Sequence, residues 1–148
     1  MTNSAKSTDD NEKQLEIYIC GACRNKGAPP EDPARPGADL AKTLKQKLIE
    51  QELDQRFHLQ MMQCMSVCSR PATISIVSPG KFTFTIGDLD PETAADDIIT
   101  FARLHADSED GIPAWSERPE QIRKGVISRT PSFSATHQRI TELKQASE

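Results

Sequence analysis

The sequence predicts one α/β domain of element order β-α-β-β-β-α: a four-stranded mixed sheet, two main helices and a C-terminal wrapping tail. Three observations predict it. Two period-two stretches each run into a pair of cysteines, and a leucine stripe at helical spacing lies between them. Two more alternating stretches then flank a Pro-Gly turn, and a second amphipathic helix follows.

Residues 1–14 are polar and are expected to be a disordered tail. Leu15, Ile17 and Ile19 alternate with Glu16 and Tyr18, so the first strand ends on Cys20. Gly27 to Gly37 holds four prolines and two glycines and reads as an extended loop. Asp39 can then cap a helix striped by Leu40, Leu44, Leu48 and Leu53 and ending near Asp54. Phe57, Leu59 and Met61 mark a second strand that delivers Cys64. If the two strands are parallel neighbours, a right-handed βαβ unit brings both cysteine pairs to one sheet edge.

Thr73 to Val77 and Phe82 to Ile86 should form a hairpin about Ser78-Pro79-Gly80-Lys81. Asp90-Pro91-Glu92 starts a helix whose buried face carries Ala94, Ala95, Ile98, Phe101, Ala102 and His105, ending near Ala106. The core domain is therefore drawn at 15–106. An extension at 107–148 holds Trp115, a basic cluster and a short helix from Thr136 to Lys144.

The net charge of −4 argues against affinity for nucleic acid or acidic membranes. No apolar run approaches the roughly 20 residues that cross a bilayer. The N-terminus shows no secretory h-region, so a cytoplasmic location is expected. In a reducing compartment four cysteines point to metal or redox chemistry rather than structural disulfides.

Those four are Cys20-Gly21-Ala22-Cys23 and Cys64-Met65-Ser66-Val67-Cys68, with forty residues between the pairs. As thiolates they suit zinc or an iron–sulfur cluster. A zinc ribbon places its two knuckles about 15–20 residues apart, so structural zinc is an alternative here rather than the leading reading. A dithiol–disulfide oxidoreductase using Cys20 and Cys23 is another, although the proline-rich loop separates Cys23 from the helix in sequence. Burial as small hydrophobes would not explain two tight pairs at strand ends.

The element order resembles the thioredoxin-like fold. The cysteine pair, proline and hairpin of CMSVCSRPATISIVSPGKFTF resemble the thioredoxin-like 2Fe-2S ferredoxins. A further resemblance, over about residues 16–133, is to bacterial predicted metal-binding proteins often associated with cobalamin-biosynthesis genes. It is carried by Cys20 to Arg24, the C-x-x-x-C, Gly87 to Pro91, Asp110 to Trp115, Arg118-Pro119, and Arg123 to Val126 through Arg129 and Pro131. These resemblances imply a cluster or metal held by Cys20, Cys23, Cys64 and Cys68, and electron transfer or metal delivery to a protein partner. Arg24, Lys26, Ser66, Ser69 and Arg70 are the expected surround of the thiolates.

Between 117 and 129, Arg118, Arg123, Lys124 and Arg129 outnumber Glu117 and Glu120. They fit either a dock for a redox or metal-accepting partner or hydrogen bonds that tie the tail down. Trp115 is expected to anchor that tail. His58, His105 and His137 are scattered away from the cysteines. No paired carboxylates, phosphate loop or Ser-His-Asp order suggests an enzyme, so an electron carrier or metal-binding accessory protein is expected.

Overall fold

The computed structural model describes residues 14–143. The tail expected at 1–14 falls, apart from Gln14, outside them. The elements are β1 (Leu15–Cys20), α1 (Pro36–Glu50), β2 (Phe57–Met62), β3 (Ile74–Val77), β4 (Thr83–Ile86), α2 (Ala94–Asp107), α3 (Glu120–Gly125) and β5 (Val126–Thr130). They build a mixed sheet of order β2-β1-β3-β4-β5. β1 and β2 are parallel, and the remaining neighbours are antiparallel.

The predicted βαβ unit and hairpin are present, but the sheet has five strands rather than four. The added strand comes from the extension. Val126 pairs with Ile86 and Thr130 with Thr83, across a register shift at Thr85/Ile86. A helix expected from Thr136 is also absent: Thr136–Leu143 is irregular, and Lys144 lies outside the described residues. His137 and Ile140 instead hold that stretch down, His137 by bonding Asp110 at 2.9 Å and Ile140 by packing on the core.

α1 starts at Pro36, three residues before the expected cap at Asp39. Proline has no N–H to lose at the first helical position, so Pro36 opens the helix and Asp39 falls in its first turn. The far end also stops earlier, at Glu50, and Leu53 closes back by donating to the Leu48 carbonyl at 2.8 Å. In α2, Asp90 does begin the turn as predicted. Its carboxylate accepts the Glu92 N–H at 2.9 Å and its carbonyl accepts that of Ala94 at 2.9 Å. Lys81 reaches the other end of α2, donating to the His105 and Ala106 carbonyls.

The core lies between the helices and one sheet face. Leu40, Leu44 and Leu48 of α1 meet Ile17, Ile19 and Ile76, while Phe101 of α2 stands edge-on to Phe84 at 5.2 Å. The opposite sheet face is polar. There Tyr18 donates to Glu16 and Ser75 bonds Thr85. Because β1 and β2 are parallel and joined by α1, their C-terminal ends share one edge, and both cysteine pairs follow from it.

Candidate metal centre

Cys20 ends β1 opposite Met62, the last residue of β2. The chain is then tied on both sides: the Cys20 N–H donates to Thr73 and the Gly21 N–H to Met62, at 3.0 and 2.9 Å. From this fixed base the loop turns Cys23 back, and the two buried thiols stand 3.4 Å apart. α1 closes from a third side. A Cβ on Gly37 would fall 1.7 Å from the Cys20 carbonyl oxygen, so only glycine lets the helix N-terminus sit so near. The helix that looked distant from the first pair in sequence therefore touches it in space.

The second pair is exposed. Ser66 sits between its members with φ of 61°, and its N–H points at the Cys64 sulfur at 3.4 Å. The far end of this loop is anchored: Arg70 donates to Asp88 at 2.7 Å, and the Arg70 carbonyl accepts from Asp88 and Thr73.

Electrostatics link the two loops. Burial pushes the Cys20 thiol up, but N–H groups of Ala22, Met65 and Cys23, with the Cys23 thiol, outweigh it and bring Cys20 below the ordinary value. Met65 belongs to the second loop, so the two loops meet over this sulfur. Burial, then the neighbouring Cys20 and Cys68 sulfurs, push Cys23 up to about 12. Cys23 thus feels both Cys20 and Cys68, a residue of the other loop, while Cys64 is exposed. Among the described residues, no three Cys, His, Asp or Glu side chains stand close enough to surround a single ion.

The expected surround is only partly there. Ser66 contributes its amide, but Arg24 turns away to the Pro30 carbonyl, Arg70 pairs with Asp88, and Lys26 and Ser69 are exposed. The Met65 amide and Gly37 were not foreseen. A Pro-Gly step at a helix start, rather than a loop, was the signal for Gly37.

The histidines lie elsewhere. His58 bonds the Gln55 carbonyl, His105 is buried on Phe82, and His137 pairs with Asp110.

In the extension Arg118 is buried, donating twice to Pro113 and stacking over Phe84. Arg123 donates to the Arg118 carbonyl and lies over Trp115; Lys124 pairs with Glu120, and Arg129 is exposed on β5. Trp115 is 65% exposed and does not anchor the tail; Arg118 and Ile122 take that place.

Residues 17–132 match a family described as "Protein of unknown function (DUF1636)". The chain belongs to this family. Among curated proteins none matches it. Solved structures of a thioredoxin-like 2Fe-2S ferredoxin from Aquifex aeolicus resemble it in fold. One has a TM-score of 0.51 at 16% identity, covering 83% of this chain and 98% of that one. The wild-type form gives 0.52 at 18%, covering 78% and 97%. A cysteine-to-serine variant of it gives 0.52 at 17%, covering 77% and 98%. The DUF1636 chain therefore has the predicted thioredoxin-like fold.

Proposed function

We propose that this DUF1636 protein binds a 2Fe-2S cluster through Cys20, Cys23, Cys64 and Cys68 and passes single electrons, or delivers iron–sulfur or metal, to a protein partner. The observation that carries the reading is the pairing of the thiols at one sheet edge. Two thiolates held about 2.3 Å from one tetrahedral metal stand roughly 3.8 Å apart. Cys20 and Cys23, at 3.4 Å, are close to that spacing. A single zinc ion asks four thiolates to enter one sphere, whereas a two-iron cluster asks for two pairs, each on its own iron. A buried pair on one loop and an exposed pair on another suit the second demand better.

Such a cluster would supply the electron chemistry. The chain's own part is ligation and tuning. The Ala22, Cys23 and Met65 amides point at the Cys20 sulfur, where hydrogen bonds steady negative charge. The exposed second pair leaves one side open for a partner. Lys124 and Arg129 are the exposed cations of the 117–129 cluster that could meet it. A cytoplasmic setting beside bacterial cobalamin (tetrapyrrole) metabolism belongs to the same proposal, as context for the partner.

The test is purification without oxygen, followed by the ultraviolet–visible spectrum and iron and sulfide analysis. Brown protein with about two irons and two acid-labile sulfides per chain is expected. Cys64→Ser should abolish that absorption, and a fully retained chromophore sinks the assignment. Colourless protein with zinc would point to an adaptor.

The 3.4 Å thiol pair beneath the α1 N-terminus also favours a second reading, a dithiol oxidoreductase. Metal-free protein whose Cys20–Cys23 bond forms and breaks reversibly would replace the cluster with that reading.

A further inference from the structure

We propose that the β2 edge and the groove beside α1 form a symmetric dimer interface, occupied by a second copy of this chain. β2 is an outer strand of the sheet. The Arg56 and Met62 carbonyls accept from Leu15 and Gly21, so alternate residues of β2 turn their backbone groups to β1. Strand geometry then turns the N–H and C=O groups of Leu59 and Met61 outward. An edge of this kind pairs with another strand unless charge, proline or a bulge prevents it.

The two edges of this sheet differ in that respect. β5 carries Arg129, sits across a register shift and is followed at once by Pro131. β2 reads Phe-His-Leu-Gln-Met-Met, has no Lys, Arg, Asp, Glu or proline, and keeps unbroken register with β1. Beside it lies a groove of about 650 Å³ whose apolar lining includes Ile49, Leu59 and Met61. Ile49 is 52% and Met61 59% exposed, high for apolar side chains gathered in one place.

Charge identifies the occupant. Along the groove α1 presents Lys42 and Lys45 from its middle and Glu50 from its last residue, while Asp39 of its first turn and Lys47 of its last turn lie outside the groove lining. An acidic peptide would satisfy the lysines and be repelled by Glu50, and a basic one the reverse. A second copy laid antiparallel sets the basic stretch of each helix towards the acidic end of the other. The two β2 edges then meet antiparallel, and the cysteine sites end at opposite extremes of one continuous sheet. The inference does not depend on what the cysteines hold.

Light scattering on the full chain across a concentration series tests it. The expected mass is twice the 16.4 kDa of the chain. Met61→Lys should abolish the dimer while leaving the circular dichroism spectrum unchanged. Should Met61→Lys fail to fold, Glu50→Lys, at an exposed helix end, replaces it. That change should weaken the dimer by about tenfold, since each lost pair counts twice across the two-fold. Mixing it with a Lys42→Glu/Lys45→Glu chain should restore association as a heterodimer. Monomer at every concentration up to about 100 micromolar, where even a micromolar interface is filled, overturns the proposal. So does a dimer indifferent to these changes, which would place association on another face. A photo-crosslink from position 61 to the same chain would give the groove to that chain's own residues and overturn it too.

Discussion

Replacing Gly37 with alanine measures how closely α1 is set against the first cysteine. The added carbon would lie 1.7 Å from the Cys20 oxygen and 2.9 Å from its carbonyl carbon. Comfortable carbon–oxygen contact is about 3.3 Å, so the helix and the loop must part by roughly 1.5 Å. The obstacle is main chain and no side-chain rotation relieves it. Alanine brings up to about 1 kcal/mol of helix propensity over glycine. Added volume in a packed site costs about 1–3 kcal/mol, with a rigid backbone obstacle at the upper end. The clash should therefore win by about 2 kcal/mol, a fall of roughly 6–10 °C in Tm for a domain this size. Thermal unfolding by circular dichroism reads the loss, and faster alkylation of Cys20 should accompany it. A Gly37→Ala chain of equal or higher Tm, with Cys20 reacting at its original rate, would refute the close approach.

Stability should fall as pH drops below about 6.5, the ordinary histidine value, because burial holds His105 below it, helped by the charge of Lys81. Its Nε2–H already donates to Phe82 and its buried Nδ1 has no partner among the described residues, so a second proton would create an unpaired N–H. The loss begins below 6.5 and grows by up to about 1.4 kcal/mol per pH unit until the folded pKa is passed. Urea midpoints from pH 7.5 to 5 should show a slope that His105→Gln reduces; identical slopes would contradict this. Ser66→Gly should raise the unfolding free energy by about 0.5–1 kcal/mol, read as a higher denaturant midpoint, since left-handed backbone costs a side chain more than glycine loses in entropy. A lower midpoint would mean that the Ser66 side chain holds the loop. Arg118→Ala should cost about 2–4 kcal/mol by stranding the Pro113 carbonyl and removing the stack on Phe84. A change within about 0.5 kcal/mol would show that the extension is held elsewhere.

The βαβ unit was legible because its signals are strong and local. Leu15, Ile17 and Ile19 alternate, Leu40, Leu44 and Leu48 fall on one stripe, and those positions are the buried ones. β5 was not, because Ser128, Arg129 and Thr130 are exposed and leave only Val126 and Ile127 to carry a pattern. α3 has six residues, too few for a helical period to declare itself. Trp115 misled for a different reason: aromatic size suggests burial, yet the residue is largely exposed, with the guanidinium of Arg123 over its ring. At the cysteines, strand ends placed both pairs on one edge. Contacts such as Gly37 on Cys20 and the Met65 amide on its sulfur join residues far apart in sequence. No spacing rule reaches them.

These contacts also divide the site into unlike halves. Cys20 and Cys23 are buried on a base fixed by hydrogen bonds to β2 and to Thr73 ahead of β3, with α1 against the Cys20 carbonyl. Their geometry is settled by packing, so a ligand meeting them pays little reorganisation. Cys64 and Cys68 ride an exposed loop that is anchored beyond Cys68, by Arg70 on Asp88, and carries left-handed Ser66 between them. A bound group would take its position from the first pair, and the second pair would adjust to close over it. Losing Cys20 should therefore disturb the loop as well as the ligand set, because the Met65 N–H lies against that sulfur and favours its thiolate. Losing Cys64 removes one sulfur and leaves the buried pair in place. The two substitutions differ on this account even where both abolish binding, and amide exchange at Met65 is where the difference should appear.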